Sequence, residues 1–400
     1  SEKTHGSPLG KDEVRWTKTS LGLDPDAQFA VTVPVYRGFR SGPGPQRHTE
    51  WNQRLDNHEH RTSFLAALAH DTRALANSAA WPTFKAGEGL ATRKSSQACL
   101  KAITAAAPWV LGGSADLAGS NGTDTGKPIF SSTRFAGAQT LAFGVREHAM
   151  AAICNGMALH GGVLPYCATF LVFHDYMRPS VRLSCLMGQQ VVYIYTHDSI
   201  FLGEDGPTHQ PVETLIALRS LPGIRVVRPA DANETIEAWK IALRHTDGPT
   251  ALVLTRQNLP TLDQAQYGSA EGASRGAYIL DSDPNPEVVL VATGSEVATT
   301  LTAAAELRAD GRRVRVVSMP CRELFLEETE EYRRSVLPAG IPRVSIEAAT
   351  TWGWERVVGD QGLMIGIQNF GASAPDKVLA EKFGFTPRQI AASVRSFLAA

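Results

Sequence analysis

Short apolar runs, regularly spaced and separated by helix-length stretches, constrain this chain more than any other feature. Residues 163–167, 191–195, 224–227 and 251–254 read as strands with helices between them. Such alternation implies a parallel sheet covered on both faces. Upstream, Phe64, Leu65, Leu68 and Leu75 fall at near-helical spacing. The pattern continues with a helix over 94–106, a strand over 109–111 and a helix opening near Arg146 that carries Ala149, Ala152, Ile153 and Met157 on one face. A polar, small-residue stretch over 261–276 reads as a linker, and the alternation then restarts. Strands are predicted at 288–292, 314–318, 343–346 and 363–367, and helices at 296–308, 324–337 and 387–398. The expected fold is α/β with two doubly wound domains: 51–262, a linker over 263–275, and a smaller domain over 276–400. Residues 1–50, punctuated by Ser41-Gly42-Pro43-Gly44-Pro45, read as a loop-rich stub unable to build a core.

Composition removes several function classes. A net charge of −1 leaves no global basic field for nucleic acid. No apolar stretch approaches the roughly 18 residues that span a bilayer, and residues 1–10 are too polar for a signal-peptide core. Five cysteines, an odd count without a Cys-x-x-Cys, mostly lie beside apolar residues; this favours reduced thiols and the cytoplasm.

Chemistry concentrates in residues 195–211. Two histidines (His197, His209) and three carboxylates (Asp198, Glu204, Asp205) share one Gly/Pro-punctuated loop directly after an apolar run. In α/β proteins such a loop leaves the carboxyl end of a strand, where ligands bind. Titratable groups held by Gly and Pro are not core filling, so the loop reads as part of an active site.

Read with its neighbours, Gly203-Glu204-Asp205-Gly206-Pro207-Thr208-His209-Gln210-Pro211 resembles the signature loop of the transketolase family. Gly112-Gly113-Ser114-Ala115-Asp116-Leu117 with Ser120-Asn121, Phe143-Gly144-Val145-Arg146-Glu147-His148, Thr169-Phe170-Leu171-Val172-Phe173 and Thr255-Arg256-Gln257-Asn258-Leu259-Pro260 extend the resemblance. It continues through Ala292-Thr293-Gly294-Ser295-Glu296-Val297, Phe370-Gly371-Ala372-Ser373-Ala374-Pro375 and Phe383-Gly384-Phe385-Thr386, over nearly the whole chain. The resemblance implies a thiamine-diphosphate- and magnesium-dependent transferase of carbohydrate metabolism in the pentose phosphate pathway. Such an enzyme carries a two-carbon glycolaldehyde unit from a ketose phosphate to an aldose phosphate.

The same resemblance assigns roles. Glu147 would bond N1′ of the cofactor's aminopyrimidine, although a helix-start carboxylate favoured by the macrodipole is the plainer reading of the residue alone. Phe170, Phe173 and Tyr176, at i, i+3 and i+6, would form the wall on which that ring packs; an aromatic stripe is otherwise usually core. Asp116 would help position the cofactor, or else serve a turn or cap. Arg93, Ser120, His197 and Arg256 would hold the sugar phosphate, for which the planar arginine fork is suited; either arginine could otherwise be an ordinary surface ion pair. Asp205 would receive the ketose C2 hydroxyl, and His209 would stand at the developing alkoxide. His5, in Thr4-His5-Gly6-Ser7-Pro8-Leu9-Gly10, would contact reacting sugar oxygens. Histidine suits such work because it titrates near neutrality.

The family's Gly-Asp-Gly motif with a downstream Asn, which holds magnesium and diphosphate, is not found; Val358-Gly359-Asp360-Gln361-Gly362 breaks the pattern. The expectation is therefore a truncated transketolase lacking its diphosphate-binding domain and metal ligands. The chain alone would then be inactive, with the missing domain supplied in trans, and would form a homodimer through its pyrimidine-type domain. Alternatives are a split-gene subunit needing a partner chain or a dihydroxyacetone synthase-like enzyme. The Gly-Glu-Asp-Gly-Pro-Thr-His-Gln-Pro loop and Arg256-Gln257-Asn258 disfavour deoxyxylulose-phosphate synthase and dehydrogenase β subunits.

Overall fold

The computed structural model describes residues 6–131, 133 and 137–399. His5 lies outside the described residues. The chain divides into two units, Ser1–Leu65 and Ala66–Ala400.

The first unit is helical where loops are expected from sequence. It contains α1 (Lys11–Ser20), α2 (Val33–Arg40) and α3 (Gly44–Asp56), and α4 (Arg61–Ala69) begins in it. The prolines that suggested loops instead start helices. Pro34 and Pro45 stand in the first turns of α2 and α3, where a missing N–H costs nothing and the fixed φ suits the helix. None of α1–α4 contains a fully buried residue.

The second unit holds two large sheets and a two-stranded one. After α5 (Thr72–Ser78), β1 (Gly89–Leu90) and α6 (Thr92–Ala106) come β2 (Val110–Ser114), α7 (Ala118–Asn121), β3 (Thr140–Ala142) and α8 (Glu147–His160). Next are β4 (Leu164–Phe170), α9 (His174–Leu186), β5 (Val192–Thr196), α10 (Thr214–Arg219), β6 (Arg225–Val227), α11 (Ala232–Arg244) and β7 (Thr250–Leu254). Then β8 (Leu259–Pro260) pairs back on β1. Strands β2–β7 form one parallel sheet in the order β3-β2-β4-β5-β7-β6. Every residue of β4, β5 and β7 is buried. That is why these strands read as continuous apolar runs rather than alternating ones.

The second sheet is built from β9 (Tyr278–Ser282), β10 (Val288–Ala292), β11 (Val314–Ser318), β12 (Arg343–Ile346) and β13 (Leu363–Ile365). Its order is β13-β12-β10-β11-β9, parallel except for the antiparallel edge strand β9. Around it stand α12 (Glu296–Ala309), α13 (Arg322–Glu327), α14 (Glu330–Val336), α15 (Glu355–Val358), α16 (Asp376–Lys382) and α17 (Pro387–Ala399).

Three local expectations are corrected. The helix over 324–337 is two helices, because the Thr329 hydroxyl accepts from Tyr332 N and starts α14 afresh. The linker over 263–275 contains a 3-10 helix, Ala270–Arg275, with Ala270 and Ala273 buried. On α8 the buried face is Met150, Ala151, Cys154 and Asn155, while Ile153 is exposed. This helix is apolar on two faces, so periodicity alone could not tell which one turns inward.

Candidate active site

Parallel strands bring all their carboxyl ends to one edge, and that edge gathers the sequence's chemical residues. Asp116 follows β2, Glu147 follows β3 and Phe170 ends β4; His197, Asp205 and His209 follow β5, and Arg256 follows β7. Phe170 pairs in register with Thr196, and Thr196 with Leu254. The loops after β4, β5 and β7 therefore start from neighbouring strands, about 4.8 Å apart.

A reciprocal clasp sets the two arginines side by side. Thr92 N donates to Thr255 Oγ1 at 3.0 Å, and Thr255 N donates to Thr92 Oγ1 at 2.7 Å. Arg93 and Arg256 are the next residues of the two segments. Arg93 Nη1 then donates to the Ser120 carbonyl at 2.6 Å. Gly122 (φ 66°) makes this approach possible, since an added Cβ would lie 2.5 Å from the Arg93 carbonyl oxygen. Neither arginine forms an ion pair with a carboxylate among the described residues, so the plain surface-ion-pair reading fails for both. Burial and the neighbouring Arg256 hold the Arg93 pKa below its ordinary value.

His197 completes this group. It is buried in the left-handed region (φ 61°), its Nδ1 is 2.9 Å from Thr196 Oγ1, and that hydroxyl donates to Asn121 Oδ1 at 2.7 Å. Burial, then Arg93 and Arg256, push its pKa down to about 3. Buried polar atoms with no partner cluster around the same place: Arg93 Nε, Asn121 Nδ2 and both amide atoms of Gln257. Two arginines without counter-ions and several orphaned donors form a setting that an anion would complete.

The aromatic stripe is continuous with this group. The His197 ring stacks on Phe170 with centroids 3.7 Å apart, and Phe170 stacks on Phe173 at 5.8 Å and 12°. Tyr176, mostly exposed, extends the row from Phe173 at 5.9 Å. His209 presents its edge to Phe173 at 5.5 Å and to Phe170 at 6.3 Å. Glu147, the first residue of α8, is 9% exposed and forms no hydrogen bond or ion pair with a described residue. Its helix packs against α9 and β4, the elements that carry the wall. Asp116 is exposed with φ 61° and makes no contact with this group that distinguishes it from a turn residue. Asp205 is exposed in the β5 loop.

Sequence reasoning missed the residues that hold the loop. Gln210 Nε2 donates to the carbonyls of Ile200, Gly203 and Ala372, tying the loop to itself and to the carboxyl-terminal sheet's domain. Asp198, next to His197, accepts from Arg228 Nε at 2.9 Å. Arg228 also pairs with Glu296, and its Nη2 donates to Ser295 Oγ at 3.2 Å. Glu347 lies 3.7 Å from Arg228 Nη1 and accepts two hydrogen bonds from Arg219. Gly294 (φ 58°) leaves room for this packing, because a Cβ there would sit 2.6 Å from Arg228 Nε. No local motif marks an arginine that will be fully enclosed.

His197 gives a pH prediction. Its folded-state pKa, about 3, lies below the ordinary 6.5. Between those values the unfolded chain binds a proton that the folded chain does not, so this group's contribution to stability is lost as pH falls from about 6.5. A His197→Gln protein is expected to lose less melting temperature than wild type between pH 7 and pH 5. Parallel losses would contradict the buried neutral imidazole.

Comparison with known proteins accounts for these features. A family described as "Transketolase, pyrimidine binding domain" matches residues 88–261, the domain of the six-stranded sheet. "Transketolase-like TK C-terminal domain" matches 276–386, and "Transketolase, thiamine diphosphate binding domain" matches 1–76. These three define a thiamine-diphosphate class of α/β protein. Within that class, the chain belongs to the transketolase family. It is 44% identical to a transketolase of Staphylococcus aureus (strain MRSA252) over 401 residues, 98% of this chain and 61% of that protein. A transketolase structure from Leishmania mexicana superposes with a TM-score of 0.88 at 40% identity, covering 100% of this chain and 59% of that one. A Pichia stipitis transketolase solved with xylulose-5-phosphate gives 0.88 at 37%, covering 98% and 59%. The chain thus spans about 60% of the length of the relatives it matches.

The match over 1–76 overturns the expectation of a chain without its diphosphate-binding domain. Three family segments are present rather than two domains and a stub. The expectations of a truncated, inactive chain without metal ligands and with a domain supplied in trans were all argued from that domain being missing, and the match over 1–76 removes this premise. Among the described residues no helix is long and apolar enough to cross a membrane.

Proposed function

We propose that this protein transfers a two-carbon ketol unit from a ketose phosphate to an aldose phosphate, using thiamine diphosphate with magnesium. The observation that carries the reading is one sheet edge that joins an aromatic row, a buried unpartnered carboxylate and a pair of arginines without counter-ions. The cofactor's residues fit. Phe170 and Phe173 offer nearly parallel ring faces for an aminopyrimidine, and Glu147 has a free acceptor at the start of the helix that packs on α9 and β4. When bound, the cofactor supplies a nucleophilic carbon that accepts the two-carbon unit and stabilises the resulting charge. Glu147 shares a proton with the ring nitrogen and holds the ring in its reactive tautomer. His209, edge-on to the wall, donates to the substrate's oxygen as charge builds there. Asp205 accepts from a ketose hydroxyl and selects its configuration, and Asp116 borders the cofactor. His5 is assigned to sugar oxygens on the strength of its motif alone. Arg93, Ser120, His197 and Arg256 hold the phosphate at the far end. A Pichia stipitis relative solved in complex with xylulose-5-phosphate supports sugar phosphates as the substrate class. Five free cysteines, four of them buried, support a cytoplasmic setting.

The phosphate assignment has a selective test. A hydrogen bond to a charged group is worth about 1.5–3 kcal/mol, or roughly 10- to 150-fold in affinity. Arg256→Ala is expected to raise KM for xylulose 5-phosphate by that order and to leave KM for hydroxypyruvate little changed. Equal losses for both donors would remove Arg256 from the site.

A further inference from the structure

A second group of arginines stands in the carboxyl-terminal domain. A cavity of about 230 Å³ is lined by Arg333 and Arg334 of α14, Arg343 at the start of β12 and Arg356 of α15, over a floor that includes Phe325 and Leu337. Glu330 is the one carboxylate in the lining, and it already pairs with Arg334. Nearby carboxylates are committed elsewhere: Glu327 to Arg225 and Glu328 to Arg275. Glu331 and Glu355 share the helices but do not line the cavity. The Arg333 side chain forms no hydrogen bond or ion pair with a described residue, and its Nε is buried without a partner. An orphaned buried donor is costly, so a ligand that satisfies it gains affinity.

Arg343 is already positioned. It donates to the carbonyls of Val357 at 2.9 Å, Leu337 at 3.0 Å and Pro338 at 3.2 Å. Burial holds its pKa down. Burial and then Arg219 depress Arg322 to about 10 against the opposing pull of Glu323 and Glu347, and Arg356 adds to the depression. Three of the four arginines lining this small concavity, Arg333, Arg343 and Arg356, thus form no ion pair with a described residue. Planar guanidinium groups suit a phosphoryl group. The volume is below the roughly 300 Å³ at which pockets for drug-sized ligands begin, which favours one phosphoryl group with a small substituent over a nucleotide.

We propose that the cavity bounded by Arg333, Arg343 and Arg356 binds a small phosphorylated anion, independently of the thiamine site. The test uses the full chain carrying Arg93→Met and Arg256→Met, so that the substrate site no longer takes phosphate. Inorganic phosphate and glycerol 3-phosphate are titrated calorimetrically at low ionic strength. Binding is expected to persist in this background. Adding Arg333→Met and Arg356→Met is expected to weaken it at least tenfold, and Arg333→Lys to weaken it less because charge remains without the fork. Equal affinity for the two probes points to bare phosphate, and tighter ester binding to a phosphorylated metabolite; either supports the site. In wild-type protein, phosphate is expected to protect Arg333 from a dicarbonyl reagent, read by mass spectrometry. Binding that vanishes with Arg93→Met and Arg256→Met, or that is unchanged by Arg333→Met and Arg356→Met, or labelling of Arg333 unaffected by phosphate, overturns the proposal.

Discussion

Glu147→Gln is expected to lower kcat by about 10²- to 10⁴-fold, the range that positioned proton transfer contributes, while thiamine diphosphate still binds. The amide has nearly the same shape and can sit at the start of α8 as the acid does. It cannot share a proton with a ring nitrogen. The loss should therefore fall on kcat rather than on cofactor affinity, since Phe170 and Phe173 remain. If Glu147 is only a helix-start carboxylate, the change costs a few tenths to 1 kcal/mol of stability and leaves kcat intact. Steady-state rates with xylulose 5-phosphate and ribose 5-phosphate, with calorimetric cofactor titration, separate the two outcomes.

Arg228→Met should destabilise the protein more than any other single change discussed here. It removes the cation that Asp198, Glu296 and Glu347 share while leaving all three carboxylates buried. Breaking a buried ion network from one side costs about 3–5 kcal/mol, because the remaining charges lose their compensation. A melting temperature lower by about 10 °C is expected for a domain pair of this size. Adding Asp198→Asn and Glu296→Gln should recover part of the loss by neutralising the stranded carboxylates. The effect should also reach the substrate. Asp198 adjoins His197, so KM for phosphorylated donors should rise even where the folded protein persists. A variant as stable as wild type would show that the network is ornamental.

Much of the strand placement was legible because buried parallel strands leave continuous apolar runs. The strands of the carboxyl-terminal domain at Val288–Ala292, Val314–Ser318 and Arg343–Ile346 are where their runs predict. Edge strand β9 was not legible, since its pattern is broken by Asp281 and Ser282 at half-exposed positions. At the amino end, proline reads as a loop signal at positions where it opens a helix. The residues gathered at the sheet edge were legible through motifs, each held in one continuous segment. Their supports were not. The clasp between Thr92 and Thr255 joins residues 163 apart, and threonine carries no mark of such a partner. Arg228 is enclosed against the general rule that arginine faces water. The diphosphate-binding segment lacks the one motif that marks it locally, yet residues 1–76 match the family.

The central claim is that Glu147 and the aromatic row activate a cofactor while Arg93, His197 and Arg256 hold a sugar phosphate at the same sheet edge. The protein is incubated with xylulose 5-phosphate, ribose 5-phosphate, magnesium and thiamine diphosphate, and the products are counted by mass spectrometry. The account predicts equal amounts of a three-carbon and a seven-carbon phosphate, dependent on thiamine diphosphate and suppressed by Glu147→Gln. Product formation at the same rate without the cofactor, or unchanged by Glu147→Gln, would contradict it.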